Sequence, residues 1–192
     1  MCSVLFCDLV GFTHLSTSRD PEEARELLSR YFDAARTVIG RYGGTVEKFI
    51  GDAVMAVWGA PIAAEGDAER AVRAALDVVA AVAALGETVG AAGLAARAGV
   101  VTGEVAVTLG ATGQGMVAGD AVNTASRVQA AATSGGVLVD EATRRLTAPR
   151  SASRTPASTL SRARRSRSVC GDPPGSSPAA GAPSAWTGWR HP

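Results

Sequence analysis

Two β-like runs, Thr45–Ile50 and Ala53–Trp58, are separated by nothing but Gly51-Asp52. A two-residue connection of a glycine and a small polar residue admits a tight hairpin and little else. Upstream, the apolar positions 24, 27, 28, 31, 35, 38 and 39 recur at helical spacing. Pro21, Glu22 and Glu23 mark the start of that helix, and Gly43-Gly44 its end. Before it, residues 3–8 read as a buried strand that closes on the carboxylate of Asp8, and Gly11-Phe12-Thr13 turns the chain. A second helix is predicted from about Asp67 to Val89, then strands over 94–102 and 104–109 joined at Gly103. The leading order is β-α-β-β-α-β, an α+β, ferredoxin-like arrangement. That topology hosts many functions and decides none by itself.

Further along, Gly110–Gly115 reads as a hairpin turn; it lacks the strand-loop-helix setting of a dinucleotide site. A third helix follows Gly119, then a short strand at Val137–Val139 and a short helix at Glu141–Leu146. The character changes near Pro149. A folded domain is expected over residues 1–148 and a low-complexity tail over 149–192, rich in Ser, Arg, Pro, Ala and Gly and without apolar period. Two readings of the tail stand side by side. The basic stretch Arg162–Arg167 suits anions or a membrane surface. Alternatively, GC-rich DNA translated out of frame yields this composition, and 18 of the 19 basic residues being Arg fits such DNA.

Charge and cysteine usage exclude several classes. Residues 1–149 carry 12 basic and 17 acidic side chains, a balance unlike that of a nucleic-acid binder. Cys2, Cys7 and Cys170 show no paired spacing, so neither a disulfide framework nor a zinc site is expected. Cys7 reads as a small buried hydrophobe, and a reducing, cytoplasmic setting fits. The longest apolar stretch, Ala74–Leu85, is too short for a membrane span and carries Asp77. His14 and His191 lack ligand partners in the sequence.

In a β-α-β-β unit the first and third strands are sheet neighbours, so Asp8 and Asp52 can point at one spot. Two carboxylates without a histidine cluster suit Mg²⁺, which keeps waters and binds substrate phosphates. Each residue alone has a plainer reading: Asp52 as a turn residue, Asp8 as a helix cap. It is their combination in this topology that favours a metal pair.

Three stretches go further. Phe6-Cys7-Asp8-Leu9-Val10-Gly11-Phe12-Thr13, Glu47-Lys48-Phe49-Ile50-Gly51-Asp52 and Gly119-Asp120-Ala121-Val122-Asn123-Thr124-Ala125-Ser126-Arg127 resemble, in order and separation, the motifs of class III adenylate and guanylate cyclases. The likeness covers residues 3–147. It implies two Mg²⁺ or Mn²⁺ ions per site on Asp8 and Asp52, with the Leu9 carbonyl as an extra ligand. It implies phosphate held by the backbone of Gly11, Phe12 and Thr13, the ribose positioned by Asn123, and α-phosphate charge neutralised by Arg127. Lys48, the single lysine of the chain, would read the base and favour ATP. A head-to-tail homodimer is implied, one subunit supplying the aspartates and the lysine and the other Asn123 and Arg127, together with fused regulatory domains in a parent protein. The product would be 3′,5′-cyclic AMP, formed with pyrophosphate in intracellular signalling.

Two departures bear on this expectation. The position that pairs with the adenine amino group is Met116, whose thioether is only a weak acceptor. The family's C-terminal hairpin, with its phosphate-contacting lysine, is expected to be missing, and a few residues are expected to precede the first strand. A guanylate cyclase and a weak or inactive cyclase-homology module that dimerises or binds nucleotide therefore remain as alternatives. A diguanylate cyclase does not, since its Gly-Gly-Asp/Glu-Glu-Phe signature is absent.

Overall fold

The computed structural model describes residues 1–108 and 117–148. A five-stranded sheet has the order β2-β3-β1-β4-β7, with β1 at Cys2–Val10, β2 at Thr45–Ile50, β3 at Ala53–Trp58, β4 at Ala95–Gly103 and β7 at Val137–Val139. β1 runs antiparallel to β3 and β4, β2 antiparallel to β3, and β7 parallel to β4. The first four of these strands in chain order make the ferredoxin-like core, and β7 extends it by one strand.

The helix α2 (Pro21–Arg41) forms where its signals place it. Asp20 caps it by accepting from the Glu22 N–H at 2.9 Å, Pro21 occupies the first turn, and Glu22 and Glu23 meet the positive end of the dipole. Its buried stripe is Ala24, Leu27, Tyr31, Ala35, Val38 and Ile39. It stops in a Schellman turn: Gly43, at φ 73°, and Gly44 donate to the Gly40 and Ile39 carbonyls. The helix α3 (Asp67–Thr88) buries Ala68, Ala71, Ala74, Ala75, Val78, Val79 and Val82. Both helices pack on the sheet face that carries Leu5, Cys7, Leu9, Val54, Ala56, Trp58, Ala98 and Val100. Each fully buried Leu or Val there contributes roughly 1.5–3 kcal/mol.

The opposite sheet face carries Val4, Phe6, Met55, Val57 and Val101, which pack with Ala121 and Ala125 of α4 (Asp120–Ala131). Close approach is possible because β4 has glycine at position 99. A Cβ there would overlap the backbone of Gln129 and stand 2.9 Å from the Ala125 carbonyl oxygen. The last helix, α5 (Glu141–Thr147), is tied down by buried hydroxyls. Thr143 Oγ1 donates to Thr102 Oγ1 at 2.8 Å, and Thr102 Oγ1 lies 2.9 Å from Ser3 Oγ.

Three local expectations change. β1 runs two residues past Asp8, because strands bond it on both edges and the ladder to β4 continues to Val10↔Ala95. After it comes a short helix, α1 (Phe12–Ser18), rather than a plain turn. The expected 104–109 strand shrinks to β5 (Ala106–Val107), which pairs with β6 (Val117–Ala118). The Gly110–Gly115 turn, Met116, the 149–192 tail and the question of a C-terminal hairpin lie outside the described residues. Among the described residues no helix is long and apolar enough to cross a membrane.

Trp58 joins the end of α2 to the sheet: its Nε1 donates to the Tyr42 carbonyl at 3.0 Å, and its ring lies against Gly44. A Cβ at Gly44 would overlap that ring and stand 2.9 Å from Ile39 Cγ2. Gly44→Ala is therefore expected to destabilise the fold by about 1–3 kcal/mol, the usual cost of overpacking a core, as read by urea unfolding.

Candidate active site

Alternation along β1 separates its side chains. Leu5, Cys7 and Leu9 enter the core under α2 and α3. Val4, Phe6 and Asp8 take the other face. Asp8 sits opposite Ala53 on β3 and Arg97 on β4. Because Ala53 directly follows Asp52, the register itself brings the second carboxylate beside the first. Both acids act electrostatically on the same two groups, the Arg97 guanidinium and the Tyr31 hydroxyl.

Arg97 grips Asp8 with both arms of its fork. Its Nε donates to Oδ1 at 3.0 Å and its Nη2 to Oδ2 at 3.2 Å, while Nη1 donates to the Ala130 carbonyl of α4 at 3.2 Å. The bidentate bond to Asp8 raises the guanidinium's pKa further. An arginine inside the apolar run Ala95–Val101 is the sequence signal for this residue. The sequence marks Tyr31 only as a core position of α2. Fully buried, it donates its hydroxyl to the Cys7 carbonyl at 3.1 Å, bracing β1 from behind at the peptide that leads into Asp8. Burial pushes the Cys7 thiol up to about 12, which keeps it protonated and inert, as its apolar setting implied.

Lys48 reaches the Asp8 face by an irregularity. Val46 pairs with Ala56 and Lys48 with Met55, so Glu47 is an extra residue in β2. Without that bulge, Lys48 would share the face of Val46, toward α2. With it, Lys48, Met55, Phe6 and Asp8 lie on one face. At the end of β1, Gly11 adopts φ 74° and leads into α1, whose first backbone bond runs from Leu15 N–H to the Gly11 carbonyl. The amides of Phe12, Thr13 and His14 thus precede the first intrahelical donor, the Leu15 N–H. Leu9 keeps its side chain in the core, 3% exposed, which leaves only its backbone for any ligand.

Asn123 and Arg127 are not brought to Asp8 within the chain. Ala121 and Ala125 face the sheet, and Asn123 and Arg127 project from the opposite, exposed side of α4. Arg127 Nη2 donates to Thr124 Oγ1 at 3.1 Å on its own helix.

The donor set fits a hydrated hard cation. Among the described residues no group of three His, Cys, Asp or Glu side chains converges; a pair of carboxylates suits a cation that keeps waters. Asp8 is already paired with a cationic group, the Arg97 fork.

Comparison with known proteins identifies the family. The family model described as the adenylate and guanylate cyclase catalytic domain matches residues 1–163. Adenylate cyclase 1 of Rhizobium meliloti is 38% identical over 135 residues, covering 66% of this chain and 20% of that protein. Guanylate cyclase 32E of Drosophila melanogaster is 33% identical over 156 residues, 75% of this chain and 13% of that protein. The chain thus spans a fifth or less of these two relatives. Among solved structures, the adenylyl cyclase CyaB from P. aeruginosa matches with a TM-score of 0.69 and 32% identity, over 76% of this chain and 79% of that one. The guanylyl cyclase Cya2 matches with a TM-score of 0.69 and 31% identity, over 76% and 77%. With a family model matched over residues 1–163 and a fold shared with these solved structures, the chain belongs to the adenylate and guanylate cyclase catalytic domain family.

Proposed function

We propose that the chain converts ATP to 3′,5′-cyclic AMP and pyrophosphate at sites shared between two head-to-tail copies. The observation that carries this reading is the division of the motif residues. Asp8, Asp52 and Lys48 gather around one sheet face, while Asn123 and Arg127 point away from it and need a second copy to meet an identical face. A symmetric pair of chains then forms two equal sites.

Each residue has a task in the attack of the ribose 3′-oxygen on the α-phosphorus, with loss of the hydroxyl proton and departure of pyrophosphate. Asp8 and Asp52 would hold Mg²⁺ or Mn²⁺, with the Leu9 carbonyl as an added donor; bound ions would supply activation of the 3′-hydroxyl and neutralisation of the triphosphate. The α1 amides at Phe12 and Thr13, opened by Gly11, face phosphate oxygens. The partner copy's Asn123 orients the ribose, and its Arg127 meets charge that develops on the α-phosphate. Arg97, whose fork holds Asp8, matches phosphate oxygens equally well. Lys48 donates to an acceptor on the adenine edge; guanine presents a donor there, which an ammonium cannot satisfy. By the resemblance alone, Met116, three residues before the glycine of the third motif, belongs to the same base pocket.

The direct test is cyclic nucleotide formation from ATP and from GTP by the purified chain with Mn²⁺. Product from ATP is expected to dominate, and Asp52→Ala to abolish it; product surviving Asp52→Ala refutes the carboxylate assignment. Asp8→Ala and Arg127→Ala are each expected to be inactive, the latter by about 10²–10³-fold. Mixed in equal amounts, they are expected to recover about one quarter of the wild-type rate, since random pairing leaves one site in four intact. No recovery refutes the shared site. Arg97→Ala is expected to lower kcat/KM for ATP by about 10–100-fold, the equivalent of one charged hydrogen-bonded contact, while circular dichroism keeps the wild-type fold.

A further inference from the structure

Glu47, the bulge residue of β2, has its side chain wholly out of water, and its Oε1 lies 3.8 Å from Lys48 Nζ; the Lys48 side chain is 32% exposed. A carboxylate this deeply buried is expensive unless a cation compensates it. At 3.8 Å the contact is an ion pair without a hydrogen bond, so the three ammonium N–H donors stay available to another acceptor. The same bulge that places Glu47 in the interior turns Lys48 onto the Asp8 face, so one irregularity creates both members of the pair.

We propose that Glu47 is the positioning residue for Lys48: its buried carboxylate anchors the ammonium over the Asp8 face and thereby sets the preference for adenine over guanine. This rests on the reading of Lys48 as the group that meets the base. A lysine reaches its target on a flexible four-carbon stem, and ordering that stem at the moment of binding weakens binding. Anchoring it beforehand removes most of that loss. It also holds the donor in one place, which is what makes a base edge of the wrong polarity costly to accept.

Lys48 is the only lysine of the chain, so ¹³C-lysine labelling returns one side-chain signal free of overlap. In the wild type its Cε is expected to relax as a restrained group. A Lys48 as mobile as a fully solvated lysine overturns the proposal, and that measurement needs no variant to fold. Glu47→Gln is expected to release the Lys48 signal and to lower the ATP-over-GTP ratio of kcat/KM by about tenfold, mainly through KM. An unchanged signal and ratio in Glu47→Gln overturn the proposal. Glu47→Asp keeps the charge and is expected to retain most of the preference; a loss equal to that of Glu47→Gln assigns the effect to packing and overturns it as well. Lys48→Ala separates the two ideas. A ratio that changes there but not in Glu47→Gln removes the role of Glu47 alone, whereas a ratio unchanged in Lys48→Ala removes the base-contact reading itself.

Discussion

β1 is hydrogen-bonded along both edges, to β3 from Ser3 to Asp8 and to β4 from Cys2 to Val10. A strand held on two sides cannot slip, because a shift of one residue would exchange every side chain between its two faces. Leu5, Cys7 and Leu9 are committed to the core under α2 and α3, so Asp8 is committed to the other face. The same register sets Arg97 directly across from Asp8 and Asp52 one residue from its other neighbour. Tyr31 adds a brace from behind, at the Cys7 carbonyl. The charged group of the candidate site is therefore fixed by the packing of apolar residues that take no part in chemistry.

Small residues let the two helical layers close on this sheet. The Ala-rich stripe of α3 brings that helix close to β1 and β4 on one face, and Gly99 does the same for α4 on the other. Closeness of α4 has a directional result. With Ala121 and Ala125 pressed against the sheet, Asn123 and Arg127 have only the outer side of the helix to occupy. What packs the helix well turns Asn123 and Arg127 away from the sheet.

Much of this was legible beforehand. The Gly51-Asp52 hairpin was placed at its observed bounds because a two-residue connection between apolar runs leaves few conformations open. The bounds of α2 followed from a proline, two acids and a pair of glycines, each acting within one turn of the helix end. Asp8 and Asp52 could be paired because strand order follows from the β-α-β-β sequence of elements. By contrast, the apolar pattern did not show α1: its seven residues, Phe-Thr-His-Leu-Ser-Thr-Ser, are too few and too polar to carry a period. The end of β1 was placed early because a carboxylate looked like a strand terminus, whereas two flanking ladders carry the strand past it.

The sequence by itself determined most of the elements, their order and the family, since those signals are periodic or lie within a few residues of one another. Tertiary structure decided the rest. The ion pair of Asp8 with Arg97 joins groups 89 positions apart, a contact that no local pattern encodes. Lys48 faces Asp8 only because β2 carries one residue more than β3 opposite it, and strict alternation from Val46 would have sent it to the wrong side. A bulge depends on how two strands fit a twisted, packed sheet, so the face on which the chain's one lysine acts is a property of the assembled fold.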